Sequence, residues 1–280
     1  MRILTILVFL FASPLFAGGA KENDTQDIER IVSLSPAATE ILFAIGAGDE
    51  VVGRTDFCNY PQEVSLVASV GGFSEISIEA IVAQKPDLVI ASVGMHDHLK
   101  QPLEDLGIKV FMSNVVDFTT LYSEISQIAK FTGDEDDAAE LIADMKDDIA
   151  DISEDLKNVE PKSIYWEVWN APYMSIGEAS YINELIALAG GANIFADVKD
   201  GYPVVSEESI IAANPQYIGV PTDTMETAKT ISGRAGWQDI EAVKNNNIIF
   251  ITGDLVSRPG PRAALAVEEL AEKLYPDVDF

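Results

Sequence analysis

His96 and His98, in Gly94-Met95-His96-Asp97-His98, are the only two histidines of the chain. Two imidazoles two residues apart share a metal poorly unless the loop curls, and transition metals usually need further ligands. No resident metal site follows from them, which leaves a solvated loop pair or one imidazole serving as an axial ligand to a bound metal chelate. Cys58 is the only cysteine and has no histidine near it in sequence, so it reads as a packed thiol and not a nucleophile. There is no Gly-x-Ser-x-Gly elbow and no phosphate loop, and Gly46-Ala47-Gly48 with Gly53 follows a helix instead of opening one. No catalytic residue is assigned. In Thr252-Gly253-Asp254-Leu255-Val256-Ser257-Arg258, the Arg258 fork suits a carboxylate, amide or phosphate edge, or else pairs with Asp254 to stiffen the loop. Arg262 is a weaker candidate of the same kind.

A second pattern is a repeat. Ser77-Ile78-Glu79-Ala80-Ile81-Val82-Ala83-Gln84-Lys85-Pro86 is echoed by Ser206-Glu207-Glu208-Ser209-Ile210-Ile211-Ala212-Ala213-Asn214-Pro215, offset by 206 − 77 = 129 residues. Each copy has a capping serine, an acidic first turn, an apolar stripe and a terminating proline. The chain therefore reads as two α/β lobes built to similar plans, each presenting a glutamate, Glu79 or Glu208, at one equivalent corner. The plainer reading makes both of them ordinary partners of the helix dipole.

These residues need a frame. Apolar runs alternate with helical patterns: strands at Ile31–Leu34, Val51–Arg54, Leu88–Ala91 and Val110–Ser113, then at Ser163–Glu167, Tyr217–Val220 and Ile248–Ile251. Such alternation predicts mostly parallel sheets covered by helices. Between the halves, Ala138, Leu141, Ile142, Met145, Ile149, Ile152, Leu156 and Val159 keep three-and-four spacing. A helix over 136–159 would be roughly 35 Å long, enough to run along both lobes. Its Asp and Glu residues read as a solvated face. The expected organisation is an N-terminal lobe over 30–135, this bridging helix, and a C-terminal lobe over 160–280, with a final helix opening at Pro261. A rigid rod between the lobes predicts limited closure.

Ligands of α/β sheets sit beyond the carboxyl ends of strands. There the loops are aromatic: Phe57 and Tyr60, Phe73, then Trp166, Trp169, Tyr173 and Tyr202. Flat rings suit a flat, bulky, partly apolar ligand.

Residues 1–17 carry a basic start, an apolar core and a small-residue cleavage site, the pattern of a signal peptide, followed by a polar leader over 18–29. No cysteine follows the apolar core, so no lipid anchor is expected. The formal charge of −28 excludes nucleic acid as a partner. With one cysteine no intrachain disulfide forms, and 280 residues at 48% hydrophobic content supply the core instead.

Ile31-Val32-Ser33-Leu34-Ser35-Pro36-Ala37-Ala38-Thr39-Glu40, Cys58-Asn59-Tyr60-Pro61, Ser77-Ile78-Glu79, Lys85-Pro86-Asp87-Leu88-Val89-Ile90 and Gly190-Gly191-Ala192-Asn193-Ile194-Phe195 together resemble the helical-backbone periplasmic binding proteins of ABC importers. The cobalamin-binding branch is the most similar, beside branches that carry haem or iron–siderophore complexes. The resemblance implies two sheet-based lobes bridged by one helix, a ligand cleft between them, and two corner glutamates, here Glu79 and Glu208, that dock on arginines of a transmembrane permease. It further implies aromatic ligand contacts at Tyr60, Phe73, Tyr173 and Tyr202, and polar contacts from Asp254 and Arg258. Phe73 and Tyr202 stand where tryptophan would strengthen the match. The implied protein is a periplasmic monomer that captures cobalamin or an iron chelate, needs no cofactor of its own and makes no bonds. From another class, an exported chelatase-like or hydrolytic enzyme would use Asp254 and His96 as acid and base, and a receptor would signal occupancy.

Overall fold

The computed structural model of the chain describes residues 28–72 and 75–280. The signal peptide, most of the leader and Phe73 lie outside the described residues.

In the first half, β1 (Ile31–Ser33), β2 (Val51–Arg54), β3 (Leu88–Ser92) and β4 (Lys109–Ser113) form a parallel sheet in the order β2-β1-β3-β4. Pairing runs from Ile31 with Leu88 to Ser92 with Ser113. Successive side chains go to opposite faces. Ile31, Leu88 and Ile90 join one core cluster, and Val32, Val89 and Ala91 the other. Both faces are covered, as all-parallel strands require. The covering helices are α1 (Pro36–Ala44), α2 (Ile78–Ala83), α3 (Asp97–Glu104) and α4 (Phe118–Thr132).

The long helix α5 (Glu135–Asp155) follows α4 after a left-handed Gly133 at φ 85°. It stops four residues short of the expected Val159. Leu156 caps it, Val159 donates back to the Leu156 carbonyl in a turn, and Pro161 disfavours helix at the residue before it. Val159 still packs on the core, which is why its spacing looked helical.

The second half holds β5 (Lys162–Trp166), a small antiparallel hairpin of β6 (Trp169–Asn170) and β7 (Tyr173–Met174), α6 (Tyr181–Leu188), β8 (Gly191–Asn193), α7 (Glu207–Ala213), β9 (Tyr217–Pro221), α8 (Ala228–Ser232), α9 (Glu241–Lys244) and β10 (Ile248–Ile251). Short α10 (Gly253–Val256) and α11 (Ala263–Leu274) complete it. The final helix thus begins at Ala263, two residues after Pro261. The sheet order is β10-β9-β5-β8. Numbered within its own half, each sheet reads 2-1-3-4. The repeated motif is the structural counterpart of this symmetry, since α2 leads into the third strand of one sheet and α7 into the third strand of the other. Ser77 and Ser206 cap them, accepting from Ala80 N–H and Ser209 N–H at 3.1 Å each. Both helices end at a left-handed residue before the proline, Lys85 (φ 51°) and Asn214 (φ 45°).

One core cluster runs through both halves. It joins Ile41 and Leu42 of α1, Met145, Ile149 and Ile152 of α5, Leu185 of α6 and Val267 and Leu270 of α11. Phe118 at the start of α4 stacks on Tyr181 at 5.2 Å, and its N–H donates to Glu184 at 2.6 Å. The lobes are therefore packed together along a seam as well as bridged.

Candidate ligand cleft and docking corners

A cavity of about 520 Å³ opens where the carboxyl ends of the two sheets face each other. From the first lobe come Ser35, Pro36 and Ala37 after β1, Phe57 after β2, Ser92 and Val93 at the end of β3, and Ser113 to Val115 at the end of β4. Asp223 after β9 and Asp254, Ser257, Arg258 and Pro259 after β10 supply the opposite wall. This is the switch-point crevice of a 2-1-3-4 sheet, presented twice.

Arg258 is the most engaged side chain in this wall and is only 9% exposed. One terminal nitrogen donates to Glu40 Oε1 at 3.0 Å and Asn59 Oδ1 at 2.7 Å. The other donates to the Phe57 carbonyl at 3.2 Å and Asp254 Oδ1 at 2.7 Å. The Asp254 pair read as the bland alternative is present, yet it is one bond of a larger clasp. Arg262 grips Glu40 with two further bonds, Nε to Oε2 at 2.8 Å and Nη2 to Oε1 at 2.6 Å, while its guanidinium lies 4.0 Å over the Tyr60 ring. Glu40, on α1, is thus a buried carboxylate between two arginines from the other lobe. It lay inside a motif quoted above but carried no role there. A charged residue in the middle of the apolar run Ala37 to Leu42 was the available signal.

Of the seven residues expected to hold ligand, Asp254 and Arg258 line the cavity and Phe73 lies outside the described residues. Tyr60, Trp169, Tyr173 and Tyr202 are not among the lining residues. Tyr60 is held over Arg262. Trp169 stands 61% exposed on the β6–β7 hairpin, its indole N–H donating to the Ala171 carbonyl at 2.9 Å. Tyr202 is likewise exposed. Tyr173 is drawn inward instead: its ring packs on Trp237 at 5.6 Å and under the Arg234 guanidinium at 5.3 Å, and its hydroxyl donates to Glu207 at 3.4 Å. Burial pushes the Tyr173 phenol above its ordinary range. The lining positions that sequence reasoning passed over, Ser92, Val93, Ser113, Asn114, Val115 and Asp223, all follow or end strands, so the strand-end rule applied to every strand would have reached them.

The histidine readings need correction. His96 is fully buried at the start of α3, and its Nδ1 accepts from the Ser92 N–H at 3.0 Å. It is not a solvated loop residue, and it is not among the residues that line the cavity with Asp254. His98 is exposed on the first turn of α3. Among the described residues no group of three or more His, Cys, Asp and Glu is placed to hold a metal ion, and no helix is long and apolar enough to cross a membrane. Cys58 is buried, where its sulfur accepts from Thr39 Oγ1 at 3.2 Å.

Glu79 and Glu208 are both exposed and occupy the second position of α2 and α7. The Glu79 carboxylate is held below the usual range by a backbone hydrogen bond and then by the Ser77 hydroxyl, which donates to it at 2.9 Å. The neighbouring Glu207 is already committed, accepting from Trp237 Nε1 at 2.8 Å. Glu208 is the carboxylate left at the corner.

Residues 31–255 match the periplasmic binding protein family. The chain is 39% identical over 258 residues, 89% of its length and 81% of the relative's, to an uncharacterized ABC transporter substrate-binding lipoprotein of Bacillus subtilis. It is 29% identical over 247 residues to a vitamin B12-binding protein of Vibrio cholerae, covering 88% of this chain and 89% of that one. Among solved structures, the periplasmic vitamin B12-binding protein of Vibrio cholerae superposes with a TM-score of 0.77 at 27% identity, covering 89% of this chain and 98% of that one. A Staphylococcus epidermidis periplasmic solute-binding protein, described as possibly iron-binding, superposes with a TM-score of 0.81 at 29% identity over 89% of this chain and all of that one. With the cleft, the paired sheets and the seam helices all in place, the chain belongs to the periplasmic binding protein family, the solute-binding partners of ABC transporters.

Proposed function

We propose that this protein captures cobalamin, or a neutral corrinoid like it, in the interlobe cleft and delivers it to an ABC permease without making or breaking bonds. The observation that carries the ligand class is the chemistry of the wall. Ser35, Ser92, Ser113 and Ser257 bring hydroxyls, Asn114 an amide, and Asp223 and Asp254 carboxylates, while the one lining arginine spends its terminal donors on protein. Amide N–H groups around a ligand rim suit such acceptors. A polyanion would face two carboxylates with no uncommitted cation, at a desolvation cost that nothing repays. The curated relatives named for vitamin B12 support the same reading. Haem or a ferric siderophore is the second reading, motivated by the S. epidermidis structure described as possibly iron-binding.

Glu79 and Glu208 are the proposed permease contacts. The protein acts outside the cytoplasm after removal of a signal peptide, as a monomer.

Calorimetric titration of the mature protein with cyanocobalamin tests the ligand. One-to-one binding of about micromolar affinity or tighter is expected. Binding of ferric protoporphyrin or a ferric hydroxamate in its place moves the ligand within the family, and binding of none of the three overturns the proposal.

A further inference from the structure

We propose that Glu40 sets the charge selectivity of the cleft. It does so from behind the wall, by occupying Arg258 and Arg262 so that neither presents a free cation to the ligand. The inference rests on the interlobe cleft as the ligand site and does not need the ligand to be a corrinoid.

Glu40, Asp254, Arg258 and Arg262 balance as two negative and two positive charges, joined by four hydrogen bonds between 2.6 and 3.0 Å, with the Asn59 and Phe57 contacts of Arg258 beside them. Asp223 then remains as the lining charge with no arginine of the clasp on it. Glu40 itself is buried and absent from the lining, so it touches no ligand. Its influence passes through the two guanidiniums. Guanidiniums hold their charge at any working pH, so converting Glu40 to a neutral group leaves the clasp with one net positive charge and frees donors on both arginines. Both guanidiniums are largely buried, so that charge acts more strongly than on an open surface. The wild-type cleft is therefore set against anions, and a neutral residue at position 40 turns it toward them.

The test compares two probes of one shape that differ in charge, ferric protoporphyrin with free propionates and its dimethyl ester. Wild-type protein is expected to bind the ester the more tightly. In Glu40→Gln, which keeps the side-chain length and one acceptor oxygen, affinity for the free acid is expected to rise about tenfold relative to the ester. Adding Arg262→Gln to that variant restores the charge balance, and the gain should disappear. A wild type that binds the free acid at least as tightly as the ester overturns the inference. So does a ratio that Glu40→Gln leaves unmoved, or the failure of both porphyrins to bind either protein. Thermal melting establishes that each variant is folded, and if Glu40→Gln is not, the wild-type preference alone decides. Failure of cyanocobalamin to bind would sink the corrinoid reading and leave this ratio to be judged on its own.

Discussion

Arg234 shows what single residues do for the C-terminal lobe. Its guanidinium lies 4.6 Å over the Trp237 ring and grips both oxygens of Glu167, at 2.5 and 2.7 Å, with Glu226 at 3.2 Å. Glu167 is almost wholly enclosed and Arg234 nearly so. Removing one member of such a pair strands the other, which is why a buried ion pair costs far more to break than it contributes when intact. Glu167→Ala is expected to lower unfolding free energy by about 3 kcal/mol, measured by chemical denaturation. The lower end of the range applies because Glu226 still faces the stranded guanidinium. A loss of a few tenths would mean that Arg234 simply swings to Glu226.

Helices act on the cleft from behind. Glu124 of α4 is buried and accepts from the Ser113 hydroxyl at 2.7 Å and the Asn114 N–H at 3.2 Å, so α4 holds the end of β4 where the cleft wall begins. Burial raises its carboxyl above the ordinary range, and the two hydrogen bonds only partly oppose this. In the folded protein Glu124 therefore keeps its proton to higher pH than in the unfolded chain. Below the unfolded value both states are protonated and nothing is lost. As pH rises from there through the raised value, the unfolded state gains by ionising first, so this group progressively destabilises the fold. Glu124→Gln lacks the titration. The Tm of the variant relative to wild type is accordingly expected to rise with pH across that window in thermal melts. A difference independent of pH would show that the Glu124 carboxyl titrates normally.

For the whole molecule the relevant quantity is the fixed separation of two corners. Glu79 and Glu208 sit on different lobes, and the lobes share one core through α1, α5, α6 and α11 with the Phe118 contacts along the seam. Two exposed carboxylates contribute little singly, so under the proposed docking role their part is to set registry and steer encounter from a rigid body. Glu79→Arg or Glu208→Arg is expected to cut cellular uptake of labelled cyanocobalamin by about tenfold, with ligand affinity unchanged. A variant that loses ligand affinity instead would refute the docking role. The overall charge of −28 suits approach to a basic surface.

Periodicity and capping in the chain specify local structure, and those parts were legible before any coordinates. All seven expected strands are present within a residue or two, Ser77 and Ser206 cap as their motif requires, and the 129-residue offset marks the paired 2-1-3-4 sheets. Three-residue β8 and the two-residue strands of the hairpin were missed because they are too short to show alternation. The site was less legible. Arg258 and Asp254 were found by type, but Glu40 lies 218 residues from Arg258, and nothing local distinguishes an arginine that offers its donors to a ligand from one that has already given them to a buried carboxylate. His96 likewise looks solvent-facing in its polar pentapeptide and is enclosed only because α3 begins there and folds it under β3. Side-chain alternation and caps depend on neighbours within a turn or two of chain, and so can be read along it. Which charges meet, and which face the cleft, depends on two lobes closing against each other, and only the tertiary structure decides that.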